Sequence, residues 1–475
     1  MGRTLRITLD KISEFSRTGY FVFGVGALAL LFHVFAWDLF GILLFATLIC
    51  LSLVFVEEYR AWLTLFANIL FIVSTQKSPG YGDGSNYYTR PDILYPLIAA
   101  VCLMAACMVY RTVKDRKNLK DGKLFIPIGV LCLALLLAGV GQKYYLYSLK
   151  ATFLMSAALI GVYCVFTATI KREENSWEYF STLFAEICLL IAIEVAYVYF
   201  LNMINDGSFD GSHDGRWKDR IITGWGVSNV SGELMACFLP FAFMRAEKSK
   251  NVVFYELVAL FSATMIVFTL SRTGIMVGGV IAIVFIVKTF VNRKEDKRAL
   301  VLTFVCYMGF LLVAFIALIG YTEFNDVFKY FEDLFNGGYS VDSGRWEIWG
   351  RRLKYFIESP VFGVGYARDF CSDFANSGLI FSGFAHNMIM DAIGSGGICN
   401  ILALGAFLYF CVRTFVKKSP TRFFTVAFGV AYFSVCMFDT TYAIPYCLWF
   451  FTLILVFTEK AALPTEQNEN IKGKV

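Results

Sequence analysis

The sequence predicts an all-α, polytopic integral membrane protein of about 12–14 transmembrane helices, on three observations. The 475 residues are 58% apolar and 17% charged, whereas soluble domains average about 25% charged. Mean hydropathy is +0.63. The roughly 275 apolar residues match the roughly 280 that fourteen spans of about 20 residues would use, which leaves almost nothing for a separate soluble domain. No fixed-period repeat or low-complexity tract divides the chain, so residues 1–475 are expected to form a single membrane domain. The net charge of +5 does not point to nucleic acid, because the Lys and Arg residues sit in short clusters between apolar runs rather than on one basic face.

The apolar runs lie near residues 19–37, 39–56, 60–75, 93–110, 124–140, 151–170, 178–202, 223–244, 252–270, 273–290, 299–321, 385–412, 422–438 and 445–459. The first follows a basic segment (Arg3, Arg6, Lys11, Arg17) and is not followed by a small-x-small cleavage site, so it reads as an uncleaved helix. Placing successive connections on alternate sides puts 28 of the 42 Lys and Arg on the side of the N-terminus. By the positive-inside bias, both termini are expected in the cytoplasm. The polar connections 76–92, 203–222 and 322–384 then face outward. The thirteen cysteines contain no C-x-x-C pair, and only Cys371 falls in an outer loop, so no outer disulfide framework or zinc site is expected.

The connection 322–384 is long for a compact membrane protein, which suggests function. Asp342 or Ser343 can cap a helix from Gly344 to about Ile357, with Glu358 leading to a stop at Pro360. Trp346, Trp349, Leu353 and Phe356 recur at helical spacing while Glu347, Arg351 and Lys354 share another face, so this amphipathic helix is expected on the membrane surface or over a cavity.

Candidate chemical groups gather on the outer side. Arg220 closes WKDR before the helix that opens GWGVSN and ends that motif at Asn229. SRTG puts Arg272 between two helices, and SGRWEIWGRR carries Arg345. The glycine-rich turn PVFGVGYA follows, and FAHNMIMD places His386 and Asn387 at the mouth of the twelfth span. Taken singly, Arg272, Arg351 and Arg352 read as snorkelling anchors, and His386 divides evenly between a helix cap and a catalytic group. His33 lies in the first apolar run and His213 in a polar loop. Glu186, Glu194, Glu233 and Asp391 are costly in lipid and are expected to face protein as structural partners. Outer tyrosines such as Tyr87, Tyr88, Tyr144 and Tyr145 fit an interfacial belt. Asp391 lies five residues after His386, about 140° round a helix, and is a poor partner for it. No nearby residue is placed to orient the imidazole.

In combination, the order Arg–GWGxSN, SRTG, SGRWxIW, PxFGVGY and AHN over about residues 215–400 resembles the carboxy-terminal half of the O-antigen ligase and O-antigen polymerase superfamily. That family's long outer loop carries an arginine in an R-W/L-x-x-W element, then a P-x-x-G-x-G turn, then an H-N pair opening the next helix. Here these are Arg345 with Trp346 and Trp349, Pro360 with Gly363 and Gly365, and His386 with Asn387. The resemblance implies a GT-C-related, metal-independent glycosyltransferase without a cofactor, multi-pass in the bacterial cytoplasmic membrane. It would move a glycan from undecaprenyl diphosphate to the hydroxyl of a lipid-linked, wall or lipid acceptor on the outer leaflet, during cell-surface polysaccharide biosynthesis. The catalytic region would be 215–400, including the outer loop 322–384. Arg220, Arg345 and His386 stand where the family places its essential basic residues. Arg272, Asn229, Trp346, Trp349, Gly363, Gly365 and Asn387 are expected to contact substrate.

The elementary chemistry agrees. Breaking a sugar–diphosphate bond builds charge on the leaving group, which a divalent metal or fixed cations can meet. The sequence has no D-x-D and no cluster of outer carboxylates, while arginines grip phosphate bidentately and stay charged. A base for the acceptor hydroxyl needs to be neutral at ambient pH, which suits histidine. The surplus of outer cations (Arg345, Arg351, Arg352, Lys354, Arg368) inclines the reading toward a polymerase, which holds two diphosphate-linked chains. An alternative is a polytopic transporter or flippase for lipid-linked oligosaccharides, although no matching half or pair of broken helices is visible. A lipid-linked peptidoglycan polymerase is disfavoured by the AHN and RWxIW elements.

Overall fold

The computed structural model describes residues 3–35, 37–73, 91–171, 176–206, 222–223, 226–293, 297–320, 345–368 and 384–461. The helices are α1 (Arg3–Ser16), α2 (Gly19–Val34), α3 (Asp38–Phe55), α4 (Tyr59–Val73), α5 (Pro91–Lys114), α6 (Phe125–Leu137), α7 (Tyr145–Thr169) and α8 (Ser176–Asp206). A two-residue antiparallel pair, β1 (Ile222–Thr223) and β2 (Gly226–Val227), leads into α9 (Ser228–Lys248). Then come α10 (Val252–Phe268), α11 (Arg272–Arg293), α12 (Lys297–Gly320), α13 (Arg345–Glu358), α14 (Met388–Phe415), α15 (Arg422–Phe438) and α16 (Pro445–Ala461). Each of the fourteen apolar runs coincides with one of these helices, and the remaining two, α1 and α13, are the amphipathic ones. Among the described residues, α3, α5, α7, α8, α11 and α14 contain stretches long and apolar enough to cross a bilayer. The pair α1–α2 adds a seventh if its 84° bend is read as one broken span. The protein is an all-α polytopic membrane protein.

Two compact units form: residues 1–111 with 173–341, and residues 112–172 with 342–475. In the first unit, connections that fall on the N-terminal side by alternation are knit together. Arg17 pairs with Glu58 at 2.5 Å, and Arg245 pairs with Glu178 at 2.6 Å. The Arg111 guanidinium donates to the carbonyls of Val56 and Glu57 at 2.8 and 3.0 Å, which satisfies acceptors left unpaired where α3 ends. Arg293 reaches Glu256 at 2.7 Å and the carbonyl of Ala246 at 2.9 Å. In the interior of the same unit, His33 lies between Asp38 and Glu194 at 3.5 and 3.3 Å. Gly26 makes room for the Glu186 carboxyl, which a Cβ there would overlap. Glu186, Glu194 and Glu233 are buried in protein, and so is Asp391 of the second unit, as the cost of charge in lipid requires.

The second unit is built from α6, α7 and α13–α16. One end is tied by Glu459, which accepts from the Tyr163 hydroxyl at 2.7 Å and from the Lys123 amide. Lys460 there donates to the carbonyls of Thr167 and Ile170 at 2.6 Å each, capping the end of α7. The opposite end, where α14 and α16 begin and α15 finishes, carries the candidate site.

Candidate active site

The amphipathic helix forms as α13, and its packing differs from the pattern expected of it. Trp346, Leu353 and Ile357 are exposed on one stripe, and the single fully buried side chain is an arginine, Arg352. Its Nε lies 3.1 Å from Asp391 Oδ1, with the two side chains only 2% and 1% exposed. The anchor reading of Arg352 is therefore corrected: the side chain neutralises the intramembrane carboxylate of α14 instead of snorkelling to headgroups. Arg351 remains exposed, and Arg345 is half-buried. Arg345, Trp349 and Arg352 are spaced i, i+4, i+7, which puts them along one face of α13. From that face the Trp349 indole donates to the carbonyl of Ala385 at 2.9 Å.

The glycine-rich turn after α13 locks into a break in α14. Gly397 has φ +63° inside that helix. The amides of Ile398 and Cys399 there turn away and donate to the carbonyls of Pro360 and Val361 at 2.8 and 3.2 Å. In return, the amides of Val364 and Gly365 donate to the carbonyls of Gly394 and Ser395 at 3.1 and 2.9 Å. Gly363, at φ +64°, sits so close that a Cβ would enter the Ser395 peptide. Gly365 and Tyr366 continue against Ser148, whose hydroxyl accepts from the Tyr366 amide at 2.9 Å, and Asn400 donates to the Tyr366 hydroxyl at 2.7 Å. Gly363 and Gly365, expected to contact substrate, thus have their amides bonded to Ser359 and Ser395 carbonyls.

Past this clamp the chain presents His386. Its Nδ1 lies 2.9 Å from Asp439 Oδ1, with the imidazole 38% exposed and the carboxylate 7% exposed. Asp439 follows the last residue of α15, and its Oδ1 also accepts from the Thr440 amide at 2.7 Å, which fixes the carboxylate. The helix-cap reading of His386 is corrected, because the cap is Asn387. Its Oδ1 accepts from the amides of Ile389 and Met390, both at 3.0 Å, and its Nδ2 donates to the carbonyl of Met437 at 2.9 Å. Asp391 does not bond the imidazole, in line with its helical position. It takes the Ala385 amide on both oxygens at 3.0 Å and accepts from the Tyr442 hydroxyl. Burial and the Asp391 carboxylate push the Tyr442 phenol well above the usual tyrosine range, so it stays a donor.

A small, mostly apolar pocket opens beside this cluster within the second unit, with Leu131, Met155, Leu404, Phe407 and Phe451 among its walls and Tyr366, Asn400 and Tyr442 as polar groups. Arg272 and Asn229 belong to the first unit. Arg272 is the half-buried first residue of α11, in whose first turn the Gly274 amide donates to Ser271 Oγ at 3.1 Å. Asn229 is half-buried at the start of α9. Arg220, His213, Cys371 and the caps Asp342 and Ser343 lie outside the described residues.

Residues 257–405 match the family model described as O-antigen ligase. That segment contains Arg272, Arg345, the Pro360–Gly365 turn, His386 and Asn387, and it ends before Asp439. No curated protein matches the chain. The motifs and the matched segment agree. Over residues 257–405 the chain is similar to the O-antigen ligase family.

Proposed function

We propose that the protein polymerises lipid-linked glycan on the outer face of a bacterial cytoplasmic membrane, with both termini in the cytoplasm. His386 would be the general base, and the observation that carries this is its hydrogen bond to Asp439. A carboxylate at Nδ1 selects the tautomer that keeps the proton on Nδ1 and leaves Nε2 as the acceptor. In the proposed step, Nε2 takes the proton of an acceptor hydroxyl as its oxygen attacks the anomeric carbon of the donor. The bond from that carbon to the diphosphate breaks, and the electron pair leaves with undecaprenyl diphosphate. Arg345 would meet the charge growing on the phosphates, so the reaction requires no divalent metal; Arg220 and Arg272 are the other cations that the sequence motifs single out. The apolar pocket beside Tyr442 supports this reading by offering apolar surface for a short part of a polyprenyl tail next to the polar cluster.

Polymerase is preferred over ligase because a polymerase brings two diphosphates to the site, and α13 still presents Arg345, Arg351 and Lys354 besides the engaged Arg352. Purified protein in lipid, given undecaprenyl-diphosphate-linked repeat units and no other acceptor, should yield a ladder of longer lipid-linked chains. Product that forms only after a wall, lipid or protein acceptor is added would make the protein a ligase. Movement of lipid-linked glycan across vesicles without any new glycosidic bond would favour the flippase reading.

A further inference from the structure

His386 has φ +50°, a left-handed backbone conformation that residues with a Cβ rarely adopt. Such a conformation persists where the surroundings over-determine it, and here the residues on both sides are held. The fully buried Ala385 gives its amide to both Asp391 oxygens at 3.0 Å and receives the Trp349 indole N–H on its carbonyl at 2.9 Å. Asn387, on the far side, is fixed by its own capping bonds and by the Met437 carbonyl. Asp391 is the common member of this arrangement, because it also pairs with Arg352 from α13 and accepts from Tyr442, three residues beyond Asp439.

We propose that Asp391 is a positioning residue: the buried Arg352–Asp391 pair, with the Trp349 indole, ties the helix that carries Arg345 to the peptides that set the His386 imidazole. The face Arg345–Trp349–Arg352 thus docks as one piece, and the cation proposed for the diphosphate and the proposed base hold a fixed separation. An ion pair that served only to satisfy a buried charge would make no use of Ala385. The joint rests on the reading of His386 as the base, and its test separates the two.

The test uses the full-length protein in lipid nanodiscs, with undecaprenyl-diphosphate-linked glycan extracted from the source membranes as substrate. Asp391→Asn keeps the side chain's size and removes its charge. It should lower kcat by about 10–10²-fold, the scale of a small misplacement of a reacting group, while KM for the donor stays within about twofold. Amide exchange across 384–387 should accelerate. In a His386→Ala background, Asp391→Asn should cost nothing further, because a residue that acts through another is silent once that other is gone. Unchanged kcat, or losses that multiply in the double variant, would overturn the proposal. If His386→Ala proves fully active, the base reading falls, and exchange at 384–387 alone decides the joint: faster in Asp391→Asn supports it, unchanged overturns it. If Asp391→Asn does not fold, Tyr442→Phe and Trp349→Phe, which remove one donor each, carry the same measurements with the same outcomes.

Discussion

Replacing Gly397 by alanine tests the clamp between the glycine-rich turn and the break in α14. Gly397 has φ +63°, and a Cβ there would stand 2.6 Å from the Val361 carbonyl oxygen, 2.7 Å from the Gly363 nitrogen and 2.7 Å from the Pro360 carbonyl oxygen. The backbone there, at φ +63° and ψ −160°, is essentially reserved for glycine and alone costs an alanine about 1–3 kcal/mol. Relieving the overlap moves the turn away and breaks the two bonds that Ile398 and Cys399 donate to it, each worth about 1 kcal/mol or more when buried. Alanine's smaller entropy in the unfolded chain returns about 0.4–1 kcal/mol. The net destabilisation is about 2–4 kcal/mol, which lowers a melting midpoint by roughly 5–15 °C if the unit unfolds as a domain of 150–250 residues. Gly405 in the same helix is the control, since a Cβ there meets nothing within 4 Å, and Gly405→Ala should be neutral or slightly stabilising. Thermal unfolding of the detergent-purified variants, with amide exchange over 359–367, reads both effects. Equal midpoints and equal exchange in the two variants would refute the clamp.

Other expectations follow from the same geometry. Asp439→Asn should preserve folding and reduce the rate by about 10²-fold or more, the scale of losing a well-placed base, as measured by product formation; full activity would remove Asp439 from the site. Arg345→Ala should abolish transfer and Arg345→Lys restore little, because an ammonium cannot reproduce the guanidinium fork, while EDTA leaves the wild type active. With its phenol held well above the usual range, Tyr442 stays protonated, so the activity ratio of Tyr442→Phe to wild type should be constant across about pH 6–9. A cysteine placed at Ser340 should react only with label supplied outside the cell, and reaction only from the cytoplasm would invert the proposed topology.

Much of the architecture was legible in the sequence because a span is a long apolar run, and each run became a helix. Its edges were less so. The run at 385–412 became α14 from Met388, because Asn387 caps the helix and leaves His386 just outside it. The H-N pair stood out as polar residues next to such a run, yet its aspartate partner did not. Asp439 is 53 residues away, in a short connection where an aspartate reads as an ordinary turn residue. It is the one carboxylate between α15 and α16, which was the available signal. Arg352 was misread because an arginine on an amphipathic helix normally reaches for water. The clue was Asp391, a carboxylate inside an apolar helix that demanded a cation, with Arg352 two turns from Arg345 on the face that also bears Trp349. The glycines of the turn were visible as backbone freedom, but only the fold shows that this freedom is used to enter a broken helix.

The central claim is most directly tested by the rate at which purified His386→Ala, reconstituted beside wild type with undecaprenyl-diphosphate-linked repeat units, extends the lipid-linked chain. A folded variant with the wild-type melting midpoint and a rate at least about 10²-fold lower is predicted. A variant that builds the ladder at the wild-type rate would contradict it.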